Sequence, residues 1–212
     1  MMFALNWSVM LNLQLRNAKV ARSHTDQAIT IATEHGLTAF MALTGFWHAQ
    51  TLTQIGEVEE GLAEMLRTRS EVDRGVVRPL LSAGIAEVFL AAGRSSDGLE
   101  AVDEGIAFCQ RSGARTFEAD LQRLKGELLL MADQNAQPEA GQCFRQSITV
   151  ARSQSAKSWE LRGTASLARL LAKQNRRAEA HTILAEIYNW FTEGFDTADL
   201  KDAKALLDEL SD

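Results

Sequence analysis

A repeat with a period close to 40 residues is the feature that most constrains this chain. Five segments end on a small residue after a helix-forming run, and these end points lie 39, 38, 42 and 39 residues apart: Gly36, Gly75, Gly113, Ser155 and Gly194. A second marker, a small residue early in each run, keeps the same period: Ala21, Gly61, Gly98, Ala140 and Ala180. Self-similarity at such periods is typical of stacked structural repeats. We therefore predict that the chain folds as a stack of similar units.

Each period divides into two helices. Apolar residues recur near helical spacing over residues 38–54, Gly56 interrupts the pattern, and residues 57–73 resume it. Pro138 fits the first turn of a helix, where a missing amide hydrogen is harmless. The chain has only two prolines and one tyrosine, and helix formers such as alanine, leucine and glutamate are abundant. These patterns predict an all-α chain of helix–turn–helix pairs.

The small residues of the second marker have a physical role in such a stack. Where two helices cross closely, only glycine or alanine leaves room for the backbones to approach. Four residues after most of these markers stands a bulky side chain, which we expect to fill the space between successive pairs: Met65, Val102, Phe144 and Leu184. Alternating small and large positions would let the layers interlock.

A small residue followed four positions later by an aromatic or aliphatic one resembles the tetratricopeptide repeat, most clearly from Ala140 to Phe144. The period is near 40 instead of about 34, and the family's first-helix aromatic residues and closing proline are mostly absent. The resemblance implies one domain over residues 1–212, a right-handed α-solenoid of five helix pairs. Its repeats would span residues 1–36, 37–75, 76–113, 114–155 and 156–194, with a capping helix over 197–210. Trp190, Phe191 and Phe195 are expected to pack in the core or against that cap.

Two segments, residues 117–130 and 190–201, resemble the carboxy-terminal helical-repeat region of large bacterial signalling proteins. In those proteins an ATPase module and a nucleotide-cyclase or DNA-binding output domain accompany the repeats. This chain has no phosphate-binding loop of the G-x-x-x-x-G-K-[ST] type. The resemblance thus implies a non-catalytic protein-interaction or signal-sensing module of a larger bacterial regulator. A small-molecule effector sensor, or an enzyme without a recognisable motif, stays open as an alternative.

Composition and charge disfavour several other classes. The net charge of −6 is spread along the chain without a basic block, which argues against nucleic-acid binding. No stretch reaches the roughly 18 apolar residues of a membrane span, and no basic leader is present, so we expect a cytoplasmic protein. The two cysteines and four histidines show no metal-ligand spacing, and neither a metal nor a cofactor is predicted.

A binding groove is the remaining candidate site. In tetratricopeptide-like stacks the first helix of each pair lines the concave side. Aligning the turns at Gly56, Gly93, Asp133 and Asn175 gives equivalent inward-facing positions at Gln50, Glu87, Glu127 and Arg169, and the same strip carries Asp120, Arg123 and Arg162. We predict that these residues contact a partner peptide or another domain of the parent chain. The alternative is pairing within the chain, for example between Arg123 and Glu127.

The first helix is expected to expose an apolar edge. Phe3, Trp7, Met10 and Leu11 would face a preceding repeat if the chain is a fragment, and would otherwise be open. We therefore predict self-association through this edge as a symmetric homodimer.

Overall fold

The computed structural model describes residues 1–72 and 77–211, and within these ranges no residue lies in a β-strand. The described residues form eleven α-helices, which confirms the all-α prediction. They are α1 (Met2–Gln14), α2 (Ala18–Glu34), α3 (Thr38–Gln54), α4 (Val58–Thr68), α5 (Arg78–Ala91), α6 (Ser95–Ser112), α7 (Glu118–Ala132), α8 (Gln137–Ser153), α9 (Lys157–Lys173), α10 (Arg177–Tyr188) and α11 (Ala198–Ser211).

Most turns between helices close in the same way, with one residue in the left-handed conformation. At Gly36 (φ 62°) the amide donates to the carbonyl of Thr33, and the Leu37 amide donates to the carbonyl of Ala32. This is the Schellman arrangement, which satisfies the free carbonyls at a helix end with backbone donors alone. The same pair of hydrogen bonds recurs at five other left-handed residues: Arg16, Gly56, Gly93, Ser155 and Asn175.

Four of the five predicted repeat end points are residues in the left-handed conformation. Gly113, Ser155 and Gly194 have φ values of 74°, 54° and 78°, as Gly36 does at 62°. Gly75 and the predicted repeat boundary at 75/76 lie outside the described residues. The turn after α7 differs, because Asp133 is extended (φ −149°) and its side chain accepts a hydrogen bond from the Asn135 amide. The predicted equivalence of Asp133 with the other turns is therefore wrong.

The chain divides into two compact units. One comprises Met1–Gly75 and Glu87–Arg94, and the other comprises Val76–Ala86 and Ser95–Asp212. In the first unit α1 packs on α2, α2 on α3 and α3 on α4, and α1 also contacts α3. In the second unit each helix from α6 to α11 packs on the next, and α9 also contacts both α7 and α11. The single-domain boundary of 1–212 stays a prediction.

The small markers occupy the same place in every second helix. Each is the fourth residue of its helix, and all five are buried: Ala21, Gly61, Gly98, Ala140 and Ala180. The residues four positions later are each 0% exposed: Thr25, Met65, Val102, Phe144 and Leu184. The predicted burial of a bulky residue four positions after the small one is confirmed at Met65, Val102, Phe144 and Leu184.

Two of the markers show how closely the helices approach. A Cβ atom at Gly61 would lie 2.4 Å from Thr53 Oγ1 and 2.8 Å from the carbonyl oxygen of Ala49, so the α4 backbone rests directly on α3. At Gly98 the nearest atom is Leu128 Cδ2 at 2.5 Å, on α7. At Gly61 the close contact is therefore with the backbone of the other helix of the predicted pair, and at Gly98 it is with a leucine side chain of the next predicted pair.

Two local expectations were wrong. Helix α4 ends at Thr68 and does not continue toward residue 73; beyond it, the Arg69 guanidinium lies 5.4 Å over the Phe89 ring. Of the aromatic residues before α11, Phe191 packs against the core, but Trp190 is 57% and Phe195 46% exposed. Both rings instead pair with other aromatic rings, Trp190 with Phe191 and Phe195 with Tyr188.

We predict opposite effects for two glycine-to-alanine substitutions in helix interiors. Gly61→Ala should lower the free energy of unfolding by about 1–3 kcal/mol, because the new methyl group overlaps backbone atoms of α3. A Cβ atom at Gly141 would lie 3.2 Å from the end of the Arg145 side chain and 3.4 Å from Leu170 Cδ2. Gly141→Ala should therefore raise the free energy of unfolding by roughly 0.5–1 kcal/mol, because alanine favours the helix more than glycine does. Urea unfolding of both variants measures the difference. Equal shifts for both would contradict the close approach at Gly61.

Candidate functional site

A strip of polar residues crosses α7, α9 and α11 in the second unit. On α7 and α9 its members recur at helical spacing, which places them on one face of each helix. We call the following residues the polar strip: Asp120, Arg123, Glu127, Arg162, Ser166, Arg169 and Asp199. It contains five of the seven residues predicted for the groove.

Hydrogen bonds connect the members of the strip within and between helices. On α7, Arg123 Nε donates to Asp120 Oδ1 at 2.7 Å. Between α7 and α9, Ser166 Oγ donates to Glu127 Oε1 at 2.6 Å, and between α9 and α11, Arg162 Nε donates to Asp199 Oδ2 at 2.7 Å. The strip thus joins three helices through polar contacts.

Burial makes these contacts stronger than surface ion pairs. Asp120 is 2% exposed, and the side chains of Arg162 and Asp199 are 13% and 19% exposed. Partly buried charges are screened less by water and salt than exposed ones. The Arg162 guanidinium also lies 4.8 Å from the centre of the Trp159 ring, which adds a cation–π contact. The orientation of Arg162 is therefore fixed by two partners.

Sequence reasoning missed Ser166, Asp199 and Trp159 as members of this site. Ser166 follows Arg162 by four residues, so its place on the same helix face was available from the spacing. Asp199 stands in the first turn of α11, where acids are common for reasons unrelated to binding. Only the packing of α9 against α11 brings Asp199 to Arg162.

The other two predicted groove residues, Gln50 and Glu87, belong to the first unit. Gln50 is 2% exposed, and its Nε2 atom has no hydrogen-bond partner among the residues that the structure describes. The indole Nε1 of Trp47, one turn earlier on α3, is also buried without a described acceptor. Glu87 is half-buried and already has a polar or ring contact. Whether either residue serves a groove stays a prediction.

Beside the polar strip, Glu160 links α8 and α9. It is 3% exposed and accepts hydrogen bonds from Arg152 Nε at 2.6 Å and Lys157 Nζ at 2.7 Å. Burial alone would raise the pKa of this carboxyl, but the hydrogen bonds from Lys157 and Arg152 outweigh burial and leave the pKa below its ordinary value. The charged form of Glu160 is thus part of the folded structure.

Histidines and cysteines do not cluster in the described part of the chain. Within residues 1–72 and 77–211, no group of three or more His, Cys, Asp or Glu side chains could hold a metal ion. Burial lowers the pKa of His48, against the opposing effect of Glu64. Cys109 and Cys143 are free thiols, and burial raises the pKa of both, that of Cys109 to about 11. Across the same ranges, none of the helices is both long and apolar enough for a bilayer.

The predicted apolar edge on α1 is largely exposed. Phe3, Trp7 and Leu11 are 67%, 47% and 55% exposed, whereas Met10 is half-buried. Leu15, which follows Leu11 by four residues, is 49% exposed. The edge therefore consists of residues at a spacing of four, and Met10 lies at its margin.

In the comparisons with known proteins, no family model matches this chain, and no curated protein matches it significantly. The tetratricopeptide resemblance thus rests on the residues quoted above.

We expect Glu160→Gln to destabilise the fold near neutral pH by on the order of 1–2 kcal/mol, because the neutral amide loses two charge-assisted hydrogen bonds. Since the folded-state pKa of Glu160 is lowered, its charge stabilises the fold above the ordinary carboxyl pKa of 4.5, and this contribution fades as the pH falls through the folded-state pKa. The difference between variant and wild type should shrink over that acidic range in urea unfolding.

Glu179→Gln is the matched control, because Glu179 pairs with Arg176 at an exposed site where both side chains are 47% exposed. It should change stability by less than about 0.5 kcal/mol at every pH. A Glu160→Gln effect that is independent of pH would contradict the assignment.

Proposed function

We propose that this chain is a non-catalytic protein-interaction or signal-sensing module of a larger bacterial regulator, built as a right-handed α-solenoid of five tetratricopeptide-like helix pairs closed by α11. The observation that carries the proposal is the fourth-residue register: five alternate helices each bury a small residue and, four positions later, a second residue at 0% exposure. Repeats that stack in one register build extended surfaces from equivalent positions, and such surfaces serve mainly as binding platforms.

The helix contacts support the solenoid part of this proposal. Within each unit a helix packs on its neighbours in the chain, and first helices also pack on first helices, as α1 does on α3 and α9 does on α7. The capping helix α11 also contacts α9. The recurring Schellman turns give successive pairs similar connections. Nearest-neighbour packing of this kind is what a stack of helix pairs requires.

In this proposal the polar strip is the binding surface for a partner peptide. Arg169 is exposed on α9, and Lys173 is exposed one turn later on the same face. Guanidinium groups bind carboxylates with paired hydrogen bonds, so this end of the strip suits an acidic side chain of the peptide. The ion pairs Arg123–Asp120 and Arg162–Asp199 lie in the same strip and are mostly buried. We therefore propose a peptide or neighbouring domain with an acidic residue as the partner.

The compartment in the proposal is the cytoplasm. Cys109 is a buried free thiol and Cys143 a partly buried one, and free thiols fit a reducing environment.

A second candidate function is the sensing of a small effector in the first unit. Trp47 Nε1 and Gln50 Nε2 are buried donors three residues apart on α3, and neither has an acceptor among the described residues. Unpaired buried donors carry a free-energy cost that a ligand carbonyl or carboxylate oxygen would remove. A ligand that raises the unfolding temperature of the wild type but not of Gln50→Leu would favour this alternative.

Peptide selection against the immobilised full chain tests the proposed binding surface. We expect selected peptides to share an acidic residue, and Arg169→Glu to weaken their binding at least about tenfold, a loss of about 1.4 kcal/mol. Arg145→Glu, an exposed charge reversal on α8 in the same unit, is the matched control and should bind like the wild type.

Charge reversal of Arg123 and Arg162 should also weaken binding, with circular dichroism confirming that these variants fold. Peptides that bind all three strip variants as tightly as they bind the wild type would refute the polar strip as the binding surface.

A further inference from the structure

Helix α1 carries an exposed apolar stripe, which we define as Phe3, Trp7, Leu11 and Leu15. These side chains are 67%, 47%, 55% and 49% exposed. Their spacing of four residues places them along one side of the helix, with the Phe3 and Trp7 ring centroids 5.9 Å apart. The opposite side of α1 is buried, and no residue from Met2 to Gln14 carries a charge. The stripe is therefore a continuous apolar surface without charged residues.

Equivalent positions on other first helices are buried. The helices α1, α3 and α9 can be aligned on the left-handed residue that follows each of them, which is Arg16, Gly56 and Asn175. The position nine residues before it is Trp7 on α1, Trp47 on α3 and Ser166 on α9. Trp47 and Ser166 are each 4% exposed. Counting back five residues gives Leu11, Thr51 and Leu170, of which the latter two are 0% and 3% exposed. Of these three helices, α1 is the one on which both positions are apolar and open to solvent.

The buried equivalents show what this side of a first helix packs against. Thr51 Oγ1 lies 3.4 Å from Thr25 Oγ1 on α2, and Ser166 donates to Glu127 on α7. Both contacts run from a first helix to the helix pair that precedes it. The stripe on α1 thus has the position of a helix-docking surface, and its natural occupant is another helix with an apolar face.

We propose that the occupant is a second copy of this chain, with the two α1 helices packed antiparallel about a two-fold axis. The two aromatic residues stand in the first half of the stripe and the two leucines in the second half. If the two antiparallel helices cross at residue 9, Phe3 of one copy faces Leu15 of the other, and Trp7 faces Leu11. This is because positions 3 and 15, like positions 7 and 11, lie at equal distances from residue 9. Every large ring then meets a smaller side chain, and the contact is self-complementary, as a two-fold interface requires.

A parallel arrangement of the same helices would fit less well. It would set each ring against the same ring of the second copy and align the two helix dipoles in the same direction. No residue from Met2 to Gln14 carries a charge, so no like charges face each other over that part of the contact.

The size of the stripe sets the expected strength of the dimer. Its exposed surface is on the order of 400 Å² per chain, about half of the roughly 800 Å² that each partner buries in a standard interface. We therefore expect a concentration-dependent dimer that dissociates in the micromolar range.

Light scattering on the full chain tests this inference. The mass of the wild type should rise from 23.3 kDa toward twice that value as the concentration increases from low micromolar upward. Trp7→Glu and Leu11→Lys should each stay monomeric, since each places two unpaired charges in the apolar contact. Leu66→Lys, at a residue 39% exposed on α4, is the matched control and should dimerise like the wild type.

Mixing the two disruptive variants tests the pairing itself. In the antiparallel arrangement the carboxylate introduced at position 7 of one chain meets the ammonium introduced at position 11 of the other, and the second contact remains wild-type. The mixture should therefore recover dimers with one chain of each kind, whereas a parallel arrangement would give none.

Three results would overturn the inference: a wild type that is monomeric at every concentration, a Trp7→Glu chain that still dimerises, or a mixture that stays monomeric. The first would mean that a different protein or segment covers the stripe. Arg169→Glu should dimerise normally, so failure of the peptide-binding proposal and failure of the dimer are separate results.

Discussion

The burial of a small residue at the fourth position of alternate helices is the constraint on which the rest of this structure depends. Where that residue is glycine or alanine, a neighbouring helix can lie directly against the backbone, as α3 does at Gly61. The residue one turn later is buried between the helices. At Phe144, the ring carbon Cε1 lies 2.4 Å from the position that a Cβ atom of Gly126 on α7 would take, so the ring occupies the space that glycine leaves. Larger side chains at these small positions would force the helices apart and open voids around the large ones.

The polar strip follows from this packing. Because α9 lies against both α7 and α11, groups on its face are withdrawn from water and require partners within the protein. Ser166 and Arg162 find theirs on the neighbouring helices, at Glu127 and Asp199. Arg169 lies on the same helix but is exposed, which leaves it accessible to another molecule. Helix α9 thus carries Arg162 and Ser166, which are paired within the protein, and Arg169, which is a solvent-accessible cation.

Local features of the sequence predicted an all-α chain and the place of several helices, but they did not predict which helices contact one another. The bounds of α3, the first-turn place of Pro138 and the repeat end points at Gly36 and Gly113 follow from periodicity and from residue preferences that act within a few positions. The partner of Arg162, the burial of Gln50 and the exposure of Trp190 depend on which helices become neighbours and at what angle. Which helices become neighbours, and at what angle, depends on the packing of many side chains together. The spacing of residues along one helix does not determine it.

The turns have a consequence for how such a chain can vary. A Schellman closure uses only main-chain amides and carbonyls, so its geometry is the same whether the left-handed residue is Gly36, Ser155, Asn175 or Arg16. The connection between helices is therefore largely indifferent to side-chain identity, apart from the modest strain of non-glycine residues. Substitutions can accumulate at these corners while the helices keep their alignment, so that the architecture outlasts the resemblance between individual repeats.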